Sequence, residues 1–91
     1  MVSYVPDWRG VVSSNIAAVA HDPRSNDLWV RFKPGKDGGE GPVWIYSGVP
    51  AGKYAALMGA ESVGKFHHAE IRGKHEARPH PATRAARGEA A

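Results

Sequence analysis

Two runs decide the fold: Leu28-Trp29-Val30-Arg31-Phe32-Lys33 and Val43-Trp44-Ile45-Tyr46-Ser47. The first alternates strictly, with Leu28, Val30 and Phe32 on one side and Trp29, Arg31 and Lys33 on the other. That period of two is the mark of a strand with one face buried and one face wet. The second run predicts a partner strand, joined to the first by the glycine-rich stretch Pro34 to Pro42, which reads as a long hairpin loop. Upstream, His21-Asp22-Pro23-Arg24-Ser25-Asn26-Asp27 is dense in turn formers. Before it, Ile16-Ala17-Ala18-Val19-Ala20 predicts a further strand over roughly 14–21, with alanine weakening the pattern. Three strands at hairpin spacing predict a meander.

Beyond Ser47 the period changes. Pro50 suits a first helical turn, Tyr54, Leu57 and Met58 recur at helical spacing, and Gly59 is a stop. Ser62 is placed to cap a second helix, whose stripe runs through Phe66, His67, Glu70 and Ile71 to a stop at Gly73. The predicted class is therefore α+β, a three-stranded antiparallel meander packed against two short C-terminal helices. The helices must cover one sheet face, because three strands alone bury too little.

The chain has 91 residues and no cysteine, which points to one domain without disulfides or thiolate metal sites. Its net charge is +3, unevenly spread. Over residues 1–70 the acids balance the bases, so the whole excess lies in residues 71–91. After Ile71 there is no large apolar residue. Such a segment cannot offset its ordering entropy, and residues 76–91 are expected to be a disordered basic tail, with Pro79 and Pro81 opposing a helix. Residues 1–10 are expected to be an N-terminal extension. No apolar run approaches the roughly 20 residues that span a bilayer. The first residues lack a basic-then-apolar leader, so a cytoplasmic protein is expected.

Several short motifs occur together in order. Ser13-Ser14-x-Ile16-x-x-Val19-x-x-Asp22 is followed by Leu28-x-Val30-x-Phe32, Trp44-x-Tyr46, Val49-Pro50, Tyr54, Ala60-x-Ser62-x-Gly64 and Ile71-Arg72. In this set the chain resembles the KTSC domain, a family named for a domain attached to some lysyl-tRNA synthetases and also found alone in bacteria and their phages. The resemblance covers residues 11–75. It implies a small domain for which RNA binding has been proposed. The family's Tyr-x-Tyr is Trp44-Ile45-Tyr46 here, which keeps stacking and packing but replaces the first hydroxyl with an indole. Phe66-His67-His68 replaces the family's aromatic pair, and the loop before Trp44 is longer than its usual tight turn.

The pair Trp44 and Tyr46 has two readings. As a platform on the sheet it would stack bases. In the register of the family's shorter hairpin it instead joins Leu28, Val30 and Phe32 beneath the helices, and aromatic dominance in small cores favours this packing. The outward face then shows Trp29, Arg31, Lys33, Val43 and Ile45, an exposed indole beside two cations. Arg72, Lys74 and Arg78 begin a basic strip toward Arg84 and Arg87 that would attract phosphates. The expected partner is RNA or DNA. The alternative is a protein-interaction module, docking on a host protein if phage-encoded or self-assembling through Trp29, Val43 and Ile45.

Neither catalysis nor a cofactor is expected. His21 and Asp22 are adjacent on a strand end and point to opposite faces, which is poor geometry for a nucleophile–base pair. His67, His68, His75 and His80 lack the paired spacing of a helical metal site and are read as surface or boundary residues. The glycine-rich loop lacks the Gly-Lys-Ser/Thr ending of a phosphate loop.

Overall fold

A computed structural model describes residues 6–34 and 41–80. The elements in chain order are β1 (Arg9–Gly10), β2 (Ile16–Asp22), β3 (Asp27–Phe32), β4 (Val43–Tyr46), α1 (Ala51–Met58), α2 (Val63–Phe66), a wide π-type turn (His67–Ile71) and β5 (Ala77–Pro79). All five strands lie in one antiparallel sheet in sequence order. The class is α+β as expected, but the sheet has five strands rather than three. Both additions come from segments expected to lie outside the domain. β1 belongs to the presumed extension and β5 to the presumed tail. Residues 77–80 are ordered against β4, and residues 81–91 lie outside the described residues, as does most of the glycine-rich loop.

The sheet register follows the hydrophobic alternation. Val30 opposes Trp44, Leu28 opposes Tyr46, and Trp29 opposes Ile45. Leu28, Val30, Trp44 and Tyr46 therefore share one face, here called the inner face. β2 joins them through a bulge between Ile16 and Ala18. The extra residue turns both Ile16 and Val19 inward although they are three apart, which is why this strand shows no clean alternation in sequence. The strand starts at Ile16 rather than near residue 14. Asn26, at φ 58, closes the β2–β3 turn, where its amide donates to the Asp22 carbonyl at 2.8 Å and the Arg24 amide donates to the Asp22 carboxylate at 3.0 Å.

α1, α2 and the wide turn seal the inner face. Ile16, Val19, Leu28, Val30, Val49, Leu57 and Ile71 are fully buried there, with Tyr46 and Val63 nearly so. Ser62 caps α2 by accepting from the Lys65 amide at 3.2 Å. Gly64 lets that helix approach the turn before β2. A Cβ at this position would lie 3.0 Å from Asn15 Oδ1 and 3.1 Å from Ser13 Oγ. Ser13 Oγ in turn accepts from the amides of Asn15 and Ile16, both at 3.3 Å. Two of the recurring sequence motifs, Ser13-Ser14-x-Ile16 and Ala60-x-Ser62-x-Gly64, are thus one contact between a side-chain-capped turn and a helix start.

Candidate functional site

The candidate residues fall into three groups in space. Trp44 and Tyr46 lie on the inner face. Tyr46 is buried, and Trp44 is half-buried and packed against the core cluster. The packing reading holds for this pair, and neither ring offers an open platform. Burial raises the Tyr46 phenol above its ordinary pKa, with the Arg72 charge opposing that rise.

Arg72 and Lys74 form the second group, at the end of the wide turn. The Arg72 amide closes that turn on the His67 carbonyl at 2.8 Å, and its side chain is exposed. Lys74 pairs with Glu70 at 3.1 Å, so its charge is partly answered locally. Arg78 is engaged elsewhere, by Ser47 and Asp27.

Trp29, Arg31 and Arg78 form the third group, on the outer sheet face, and Lys33 follows just past the end of β3 as an exposed side chain. Trp29 does not stand open in water as expected. The Trp8 ring meets it edge-on at 6.4 Å, and the His80 ring lies 5.0 Å away on the other side. The Arg31 guanidinium sits over Trp8, 4.5 Å from the ring centre. Ile45 is also a correction. Expected on the exposed face, it is only 4% accessible, because β5 runs beside it with Arg78 opposite. Arg78 spans the strand ends, donating to Ser47 Oγ at 2.7 Å and to Asp27 Oδ2 at 3.0 Å.

Trp8 was not singled out in the sequence, and His80 was read only as a surface or boundary histidine. Both lie in segments without a hydrophobic period. The available signal was Trp8 itself, since a tryptophan in a presumed extension has more apolar surface than solvent tolerates cheaply.

His67 is a further correction. Read as a surface or boundary residue, it is only 3% accessible. Its ring meets Phe32 and Tyr46 edge-on at 5.6 and 5.0 Å. Burial, and then the nearby charges of Arg72 and His68, lower its pKa to about 4. His67 is therefore a neutral core residue at physiological pH.

The remaining histidines fasten the strand ends. His21 donates from Nε2 to the Val49 carbonyl at 2.6 Å and stacks on Tyr54 with ring centres 5.1 Å apart. His75 donates from Nδ1 to the Ser47 carbonyl at 3.0 Å, while its Nε2 accepts from the Lys53 ammonium at 2.8 Å. Among the described residues no three His, Asp or Glu side chains gather as a metal ion would require. An open groove between α1 and α2 is lined by Lys53 and Lys65 on one hand and Glu61 and Glu70 on the other, so its charges cancel. No helix among the described residues is long and apolar enough to cross a membrane.

Comparison with known proteins adds a family and a fold. Residues 12–75 match the sequence profile of the KTSC domain. The crystal structure of a KTSC domain protein from Yersinia pestis is similar, with a TM-score of 0.71 and 29% sequence identity over 84% of this chain and 99% of that one. No curated protein matches the chain. Trp8, Arg78 and His80, which complete the outer face, all lie beyond the matched residues.

Proposed function

The chain belongs to the KTSC domain family, and from that premise we propose that it is a small non-enzymatic binding module whose outer sheet face takes single-stranded nucleic acid, RNA first. The inner face is filled by the helices, so a ligand must use the outer one. The observation that carries the reading is the interleaving of rings and cations there. The Arg31 guanidinium lies on Trp8, Trp8 meets Trp29, Trp29 meets His80, and Arg78 and Lys33 flank the row. Aromatic faces accept bases of any sequence at about 1–3 kcal/mol per base, and cations at this spacing follow a phosphate chain. Trp44 and Tyr46 support the face from below and are not contacts in this reading.

Binding of a labelled oligouridine, followed by anisotropy over a range of salt, tests the proposal. The three cations of the face (Arg31, Lys33 and Arg78) account for a log–log salt slope of about −2, and Arg84 and Arg87 steepen it in the full chain. Trp29→Ala is expected to weaken binding about tenfold, the loss of one stacked base. A chain ending at His80 keeps β5 and removes Arg84 and Arg87. It is expected to bind more weakly and with a shallower slope, which isolates the phosphate attraction of the last residues. Absence of binding to both RNA and DNA at low salt would overturn the reading. Salt-tolerant association of the protein with itself, lost in Trp29→Ala, would assign the face to protein docking instead.

A further inference from the structure

The C-terminal strand does two things at once. It completes the sheet beside β4, and it lays a ring over the indole on which the proposed site depends. β5 is three residues long, none of them buried, and forms the sheet's edge. It is attached through its ladder with β4, in which Ala77, Arg78 and Pro79 oppose Tyr46, Ile45 and Trp44. The Ser47 amide donates to the Glu76 carbonyl at 2.9 Å, and the His80 amide donates to the Val43 carbonyl at 2.9 Å. Arg78 reaches Ser47 and Asp27, and the His80 ring lies against Trp29.

We infer that β5 with His80 is a displaceable cover on Trp29, and that single-stranded nucleic acid binds by lifting it. The inference rests on the nucleic-acid reading above and adds its regulation. A three-residue edge strand with no buried residue, held by one ladder and a partly exposed ion pair, opens at lower free energy than the sheet beneath it. The chemistry of the two states also matches. A phosphate oxygen is the same kind of guanidinium acceptor as the Asp27 carboxylate, so the ligand backbone takes Asp27's place on Arg78. A base takes the place of the His80 ring on Trp29. Ligand and cover then compete for one surface, and apparent affinity scales with the fraction of molecules in which the strand is lifted.

A reversible lock tests this. The chain has no cysteine of its own, and Ser47 and Glu76, just past the end of β4 and just before β5, are hydrogen-bonded neighbours. Facing positions of this kind take a disulfide where their Cα atoms lie about 4.4–6.8 Å apart. In the Ser47→Cys, Glu76→Cys double variant, oligouridine is expected to bind about tenfold more weakly when oxidised than when reduced. Equal affinity in the two redox states, with binding intact, overturns the cover. Failure of the unmodified chain to bind at all overturns the nucleic-acid reading instead. In that case hydrogen exchange on the unmodified chain still decides whether the strand opens. The amides of Ser47 and His80 are expected to exchange at least about tenfold faster than those within β3. Exchange as slow as β3 overturns the cover by itself, and it serves as the second measurement if the double variant does not fold.

Discussion

The two faces of this sheet are closed in different ways. The inner face is sealed by helices that bury aliphatic side chains completely, Leu28, Val30, Leu57 and Ile71 among them. The outer face is covered by the two ends of the described chain, through rings, guanidinium groups and an exposed ion pair. Apolar burial is non-directional and accumulates with area, whereas ring edges and surface ion pairs contribute little each. The inner face therefore holds the domain together, and the cover of the outer face is the more easily displaced. Each prediction below sets one face against the other.

The largest effect is expected from the inner face. Ile71→Ala removes a fully buried side chain from the seam between the wide turn and the sheet. It should cost about 2–5 kcal/mol of unfolding free energy, enough to unfold much of so small a domain. The urea midpoint measures it. A loss below about 1 kcal/mol would mean that the helices are not the seal described here.

Acid is the next largest probe. His67 is neutral in the core, with its pKa lowered to about 4 against an ordinary value of 6.5. The unfolded chain therefore binds a proton that the folded one refuses between those two values. The stability that depends on neutral His67 is complete above about pH 6.5 and is lost as pH falls toward 4, by up to about 3 kcal/mol. Unfolding by urea at pH 7.5 and at pH 4.5 measures the change. His67→Phe keeps a ring between Phe32 and Tyr46 without a titrating group, and is expected to flatten the pH dependence. An equal acid loss in the wild type and this variant would place the effect elsewhere.

The legible parts of the molecule are those governed by repeated apolar spacing. Leu28, Val30 and Phe32 gave the inner face directly, and the register of the family's shorter hairpin put Trp44 and Tyr46 beneath the helices. Ser62 was visible as a helix cap, whereas Gly64 stood out only as part of a recurring motif. β1 and β5 were not visible, because a two- or three-residue edge strand containing Gly, Arg or Pro has no periodicity of its own and forms only where a sheet already exists. The burial of Ile45 depends on β5 and was hidden with it. His67 sat four residues before Ile71, on the same apolar stripe, and spacing outweighed polarity there. The outer group was half legible. Trp29, Arg31 and Lys33 lay on one strand in the right phase, but Trp8 and His80 reach Trp29 only through the tertiary fold.

Smaller effects follow from the contact between α2 and the turn before β2. Ser62→Ala removes the acceptor for the Lys65 amide at a helix start and should cost about 1 kcal/mol. The same urea titration reads it, and its value lies between those expected for the inner and outer faces. A cost as large as that of Ile71→Ala would show that the cap organises the whole seal rather than one helical turn.

The smallest effect is expected on the outer face, and it is the sharpest test of the comparison. Asp27→Asn breaks the ion pair with Arg78, in which the arginine side chain is 52% exposed and the carboxylate 17%. Solvent screens such a pair, and the asparagine side chain can still accept one hydrogen bond, so global stability should fall by only about 0.2–1 kcal/mol. Local stability should fall more visibly. The His80 amide, which donates to Val43, is expected to exchange faster in the variant, while amides within β3 keep their wild-type rates. That pattern separates a cover from a structural strand. If Asp27→Asn instead lowered global stability as much as a buried truncation, β5 would belong to the same cooperative unit as the helices, and the two faces would differ only in appearance.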